Sequence, residues 1–194
     1  MAETVVAGGV RSPLGAFGGT LSGIEMTDLA GRTGAATMRR AGVRPEAVDH
    51  CIFTTTVPSD RDSLFAARVV SMKAGVPEEA GALHVVRACA SGLQSILSAD
   101  QQVRTGHSKI ALAGGAESYS RAPFATTTIR WGAGRGTQQL EDMLDCGFVY
   151  GTESLLAIGR QSSCGHRRQG QCRNYGVDGE PAGSNARQAV RNAS

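Results

Sequence analysis

No long apolar run occurs anywhere in the 194 residues, so nothing approaches the roughly 20 residues that a membrane-spanning helix needs. The N-terminus passes from Met1-Ala2-Glu3-Thr4 straight into Val5-Val6, without the basic stretch and apolar core of a secretory leader. Lysine is nearly missing, with only Lys73 and Lys109 against 18 arginines. The net charge of +3 is too small to demand nucleic acid as a partner. Tight cysteine pairs are absent too. The five cysteines, at positions 51, 89, 146, 164 and 172, form an odd set without a CxxC pair, which argues against a disulfide framework or a zinc site. The expected setting is therefore a reducing cytoplasm, with no metal, no nucleic acid and no membrane partner. In that setting each cysteine is explained singly, by packing or by chemistry.

What is present fits a globular chain: 41% hydrophobic and 19% charged residues. Thr4 to Ala7 reads as a short first strand that Gly8-Gly9 ends. A helix is expected from about Thr27, with Thr27 or Asp28 as its cap and Gly42 at its C-terminal end. Ile52 to Val57 reads as a second strand. Ser63 to Ala74 reads as a helix with Leu64, Ala67, Val70 and Met72 on its apolar face. Ala82 to Ala88 is a third strand, and Ser91 to Thr105 a helix with Leu93, Ile96, Leu97 and Val103 at helical spacing. Ile110 to Ala113 is a fourth strand running into Gly114-Gly115. Strands alternating with helices predict an α/β layer with a mostly parallel sheet.

The chemically interesting position is Cys89, at the junction between an apolar strand and a helix. First-turn N–H groups there lack intrahelical partners, and the helix dipole adds partial positive charge, so a thiolate is favoured. Ala90, Ser91 and Gly92 are small enough to let a thioester carbonyl approach the sulfur. A covalent acyl-enzyme is the natural chemistry. Packing is the competing explanation, as for most free cysteines, and it is the one expected for Cys51 in its strand pattern. Glu117, at the end of an apolar strand where a general base could sit, is expected instead to hold loop N–H groups beside the nucleophile, with Gly114 and Gly115 allowing close backbone packing. Gly132 to Gly136 lacks the strand and the Lys-Ser/Thr end of a phosphate loop. Cys164, His166 and Cys172 match no standard metal spacing.

Several segments together resemble the thiolase family. Arg11-Ser12-Pro13-Leu14-Gly15-Ala16-Phe17-Gly18-Gly19 is similar to its opening loop. Val85-Val86-Arg87-Ala88-Cys89-Ala90-Ser91-Gly92-Leu93-Gln94-Ser95 is similar to the segment around its acyl-accepting cysteine. Ala113-Gly114-Gly115-Ala116-Glu117-Ser118 and on to Pro123 resembles its Gly-Gly-x-Glu-Ser signature. Arg61-Asp62, Ala67-Arg68-Val69-Val70 and Arg130-Trp131-Gly132 resemble the short-chain β-ketothiolase subgroup. The similarity runs from about Val5 to about Leu155.

The resemblance implies an acyltransferase of the acetyl-coenzyme A type, working in fatty acid metabolism, with Cys89 as the acyl-thioester nucleophile. It implies a thiolase-like α/β layer, a mostly parallel sheet with helices on both faces, incomplete here. Acyl-coenzyme A is the implied substrate and partner, with no separate cofactor; the full-length family associates as homo-oligomers. In the family, histidines activate the nucleophile and a second cysteine moves the α-carbon proton. No segment here matches those motifs, and no role passes to His50, His84, His107 or His166. Val86 stands where the family has Asn. A partial N-terminal domain is expected over 1–157. From 158 to 194 the expectation is a disordered tail, or one read in a shifted frame, because apolar residues almost vanish there. A chain of this kind is expected to be inactive alone. A ketoacyl-synthase-like fragment and a non-catalytic interaction module are the alternative readings.

Overall fold

The computed structural model describes residues 3–126, 129–132 and 134–144. The residues that follow, and with them the boundary expected at 157 and the 158–194 tail, lie outside the described residues.

The fold is organised on one central strand, β1 (His50–Thr54), whose residues Cys51 to Thr54 are all buried. A strand covered on both faces has to be apolar without alternation, which Cys51-Ile52-Phe53 provides. It pairs in parallel with β2 (Gly81–His84) on one side and with β3 (Ala111–Gly115) on the other, giving the order β2-β1-β3. Cys51 and Phe53 enter a core with Met26 and Ala30 of α1 (Met26–Ala41) and with Ala66, Ala67 and Val70 of α2 (Ala66–Lys73). Ile52 and Thr54 therefore point to the opposite face, where α3 (Ser91–Arg104) packs on β1 and β3. The expected parallel layer with helices on both faces is what forms.

The connections follow from handedness. The β1–α2–β2 crossover moves one way across the sheet, and the β2–α3–β3 crossover moves back over β1. Both can be right-handed only if α2 and α3 lie on opposite faces. The C-terminal ends of β1 and β2 thus send their loops to opposite sides and open a crevice between them, the usual ligand position in such sheets.

Several expectations need correction. Thr4–Ala7 forms no strand, and Val5 and Val6 are more than 80% exposed; β1 is already flanked on both sides, so that segment has no ladder to join there. Thr27 and Asp28 do not cap α1. Glu25 precedes the helix, Thr27 is buried inside its first turn, and both Thr27 and Asp28 bind the Lys73 ammonium of α2. Gly42 does close α1, with a left-handed φ of 67°. The second strand ends at Thr54 rather than Val57 because the backbone there turns to meet Glu117. The third ends at His84, four residues short of Ala88, and the fourth starts one residue late and includes both glycines.

The apolar face expected for α2 is half borne out, with Ala67 and Val70 buried in the core, whereas most of the one expected for α3 is turned outward. Leu64, in a 3₁₀ turn before α2, and Met72 are exposed, as are Leu93, Ile96 and Leu97, whereas Ala66, Ala67, Val70 and Ser71, and then Ser91, Ser95 and Ala99, are the buried positions. Small residues let each helix approach the sheet closely, and the Ser95 hydroxyl is satisfied by the Gly92 carbonyl at 2.7 Å.

A carboxylate ties the entry of β1 to that of β3. Asp49 accepts from the Ser108 hydroxyl, from Lys109 N–H at 2.8 Å and from Ile110 N–H at 3.4 Å. Burial pushes the Asp49 carboxyl up, but these bonds outweigh it and hold the group below its usual 3.8. A depressed folded value means stabilisation that is present above the ordinary value and lost as pH falls through the folded one. Asp49→Asn is expected to lower stability at neutral pH by about 1 kcal/mol, since one acceptor is replaced by a donor. Urea unfolding of both proteins should show that gap closing as pH drops below 3.8.

Candidate active site

Beyond His84 the chain stays with β1 for one more bond, Val85 N–H to Phe53 carbonyl at 3.1 Å. It then turns sharply into α3. The turn is made by Ala88, whose φ of 47° is a left-handed value found at no other non-glycine among the described residues. Cys89 comes next, exposed, two residues before the first residue of α3. The N–H groups of Gly92 and Leu93 have no hydrogen-bond partner among the described residues. They are the unpaired donors of a helix N-terminus, and their positive end faces the elbow that carries the thiol.

Three other segments meet at this end of the sheet. The Glu117 carboxylate, just past β3, accepts the Thr55 hydroxyl at 2.7 Å, Thr56 N–H at 2.9 Å, Val57 N–H at 3.0 Å and the Thr56 hydroxyl. The expected role of Glu117 as a holder of loop N–H groups is what the geometry shows. Its ligands are the loop after β1, and Thr55 is also met by His84: the ring Nε2 lies 3.2 Å from Thr55 N and 3.1 Å from its carbonyl oxygen. Burial first, and then the Glu117 carboxylate and the Cys89 side chain nearby, push the Tyr119 phenol above its usual 10. The same short turn, Tyr119–Arg121, anchors the opening loop, with Gly18 N–H bound to Ser120 Oγ at 2.9 Å and Arg121 Nη1 to the Ser22 carbonyl at 3.4 Å.

The opening loop, the cysteine elbow and the Gly-Gly-x-Glu-Ser segment therefore converge, although they are far apart in sequence. Gly115 allows the close packing expected of it: a Cβ there would lie 2.4 Å from Thr54 Cγ2. Gly114 opens on nothing within 4 Å, so its expected packing role is corrected. Val86 is exposed at 63%. Cys51 is a packing residue as expected, and burial raises its thiol to about 11. Cys146, Cys164, His166 and Cys172 lie outside the described residues. Among those described, no group of three His, Cys, Asp or Glu side chains is placed to hold a metal ion, and no helix is long and apolar enough to cross a membrane. A cavity of about 210 Å³ between Ser12, α1 and β3 does not include Cys89 in its lining.

Sequence reasoning missed two residues of this site. His84 carried no motif, and only the parallel register of β2 brings it to Thr55. Ser91 was seen merely as small, though a serine at a helix start is a familiar signal for a hydroxyl that bonds nearby backbone.

The described residues form a parallel α/β layer with an exposed cysteine on the elbow between β2 and α3, beside the switch point of the sheet. The thiolase N-terminal domain model matches residues 4–167, and the chain belongs to that family. Beta-ketothiolase BktB of Cupriavidus necator is 39% identical over 142 residues, covering 73% of this chain and 36% of the relative. The human mitochondrial 3-ketoacyl-CoA thiolase is 37% identical over 135 residues, 69% of this chain and 34% of that protein. The crystal structure of the human mitochondrial enzyme in complex with CoA superposes with a TM-score of 0.70 at 32% identity, covering 78% of this chain and 39% of that one. The Bacillus anthracis acetyl-CoA acetyltransferase gives a TM-score of 0.67 at 33% identity, covering 72% and 35%. The chain thus spans little more than a third of the length of these relatives.

Proposed function

We propose that Cys89 accepts the acyl group of an acyl-coenzyme A thioester. The sulfur attacks the thioester carbonyl carbon, a new C–S bond forms, the bond to the coenzyme A sulfur breaks, and the thiol proton passes to the departing coenzyme A thiolate. The observation that carries this reading is the placement of an exposed thiol on the elbow at the open end of β1 and β2, before a helix whose first N–H groups are unpaired. Small neighbours on both sides, Ala88 and Ala90, leave room for the carbonyl. Coenzyme A thioesters suit the site because the matching thiolases act on them by name, and one was solved with CoA. A reducing cytoplasm suits a free thiol at this position.

Acylation is the half-reaction that these residues are arranged to perform. A full condensation or thiolysis cycle also needs a proton-moving group at the substrate α-carbon, and no residue of this chain is assigned that role. The expected outcome is a stable adduct of one acetyl group on Cys89 after incubation with acetyl-coenzyme A, located by peptide mass mapping, with little or no multiple-turnover thiolysis of acetoacetyl-coenzyme A. Cys89→Ala should abolish the adduct. An adduct that survives this substitution, or falls on another cysteine, would exclude Cys89 as the acceptor.

A further inference from the structure

Among the described residues no side chain bonds to Cys89 to define where its sulfur points, and its backbone is held on either side. Before it stands Ala88, held at a φ of 47° that an L-residue other than glycine adopts at a cost. After it the chain is helical. Something has to keep Ala88 from relaxing to an ordinary conformation, which would move Cys89 relative to α3.

The candidate is Ser91, the first residue of α3, only 3% exposed. Its hydroxyl is shared by two backbone groups on the far side of the thiol. It accepts the Arg87 N–H at 2.6 Å and donates to the Ala88 carbonyl at 2.6 Å. The backbone adds a second, parallel closure, Ala90 N–H to the Arg87 carbonyl at 3.1 Å and Ser91 N–H to the Ala88 carbonyl at 3.0 Å. The elbow Arg87–Ser91 is thus a loop cross-braced by a single buried hydroxyl, with Cys89 at its apex. Arg87 is further tied to α3 by its guanidinium, which donates to the Gln94 side chain at 2.9 Å. Being exposed, that bond contributes less.

We propose that Ser91 is a positioning residue for the thiol: its hydroxyl holds Ala88 in the left-handed conformation and so fixes the backbone from which Cys89 projects at the start of α3. This rests on the acyl-acceptor reading of Cys89 for its functional meaning, but the geometry of the elbow is testable without it. A serine that matters only for global packing and a serine that restrains Ala88 differ in one respect. Only the second can be replaced by relieving the strain at residue 88, since glycine adopts positive φ freely.

The test uses the full chain in four forms: unaltered, Ser91→Ala, Ala88→Gly, and the double variant. Two rates are measured at Cys89 by peptide mass mapping, acetylation by acetyl-coenzyme A and alkylation by limiting iodoacetamide. Ser91→Ala is expected to slow both by about tenfold, the worth of roughly one buried hydrogen bond. Adding Ala88→Gly to it should recover most of the loss, with Ala88→Gly alone as the reference for the double variant. Equal alkylation in the unaltered chain and Ser91→Ala overturns the inference, whatever acetyl-coenzyme A does. A double variant as slow as Ser91→Ala overturns it as well. If Ser91→Ala fails to fold, the double variant decides: folding with a reactive Cys89 supports the brace, and a chain still unfolded shows a packing role instead. An unaltered chain that is alkylated in this Ser91-dependent way but takes no acetyl group would sink the acyl-acceptor reading and leave the positioning role standing.

Discussion

Gly31→Val is expected to remove about 3 kcal/mol or more of stability, because α1 and α2 touch through backbone at this point. A Cβ on Gly31 would lie 2.6 Å from Lys73 Cβ and 3.1 Å from the Lys73 carbonyl carbon. Neither atom is the loose end of a side chain, so α1 and α2 have to separate. Separation strips the core that Met26 and Ala30 share with Ala66, Ala67 and Val70. It also pulls Lys73 away from Asp28 and the Thr27 hydroxyl. Gly31→Ala should show the same effect in smaller form, since one methyl already meets backbone while alanine returns about 1 kcal/mol in helix propensity. Gly34→Ala is the control. There a Cβ would meet Ala74 Cβ and Leu112 Cδ2 at 3.3 Å, contacts that a small leucine shift relieves, so propensity should leave the change near neutral or favourable. Equilibrium urea unfolding of the three variants separates these cases. Equal stability of Gly31→Val and Gly34→Ala would mean that the helices do not approach as described.

The second large effect is expected at Glu117. One carboxylate takes four donors from three consecutive residues, Thr55, Thr56 and Val57. Thr55 and Val57 are buried, so Glu117→Ala leaves N–H and O–H groups without acceptors where water reaches them poorly. The expected loss is about 2–4 kcal/mol, the range for removing a charged acceptor from several donors, lowered somewhat by the exposure of Glu117 itself. Glu117→Gln should lose roughly half as much, since one carboxylate oxygen becomes an NH₂ facing an N–H. Hydrogen exchange offers the local readout: the Thr56 and Val57 amides should lose protection in both variants, while amides in the middle of α1 keep theirs. Uniform loss across the sheet and its helices would point to a global rather than a loop-anchoring role. His84 bonds to Thr55 as well, so the loop should loosen without detaching.

Much of this protein is local in origin and readable from residues. Gly42 closing α1, the parallel α/β class, the position of Cys89 at a strand–helix junction and the bracing role of Glu117 all follow from short-range patterns: a glycine where φ is positive, strands alternating with helices, a polar residue at the end of an apolar strand. The motifs around Arg11, Cys89 and Gly114 sufficed to name the family, since they are contiguous words whose spacing survives without a fold.

What only tertiary structure decided concerns which side of an element faces inward and which distant residues meet. Leu93, Ile96 and Leu97 have the spacing of a buried stripe, yet Ser91, Ser95 and Ala99 are the ones against the sheet, because close approach to β1 and β3 rewards small volume over hydrophobicity. Val5 and Val6 have strand chemistry, but a strand exists only where an edge accepts it. The Thr27 hydroxyl looks like a cap and instead serves a lysine 46 residues away. Ser91 reaches back across the thiol, and His84 meets Thr55, through a turn and a register that no periodicity encodes. Pattern along the chain determines which elements form and where the Cys89 thiol sits between them. Packing between elements determines which loops meet at the open end of the sheet, since backbone donors and small-residue contacts are supplied by whichever segment the topology brings alongside.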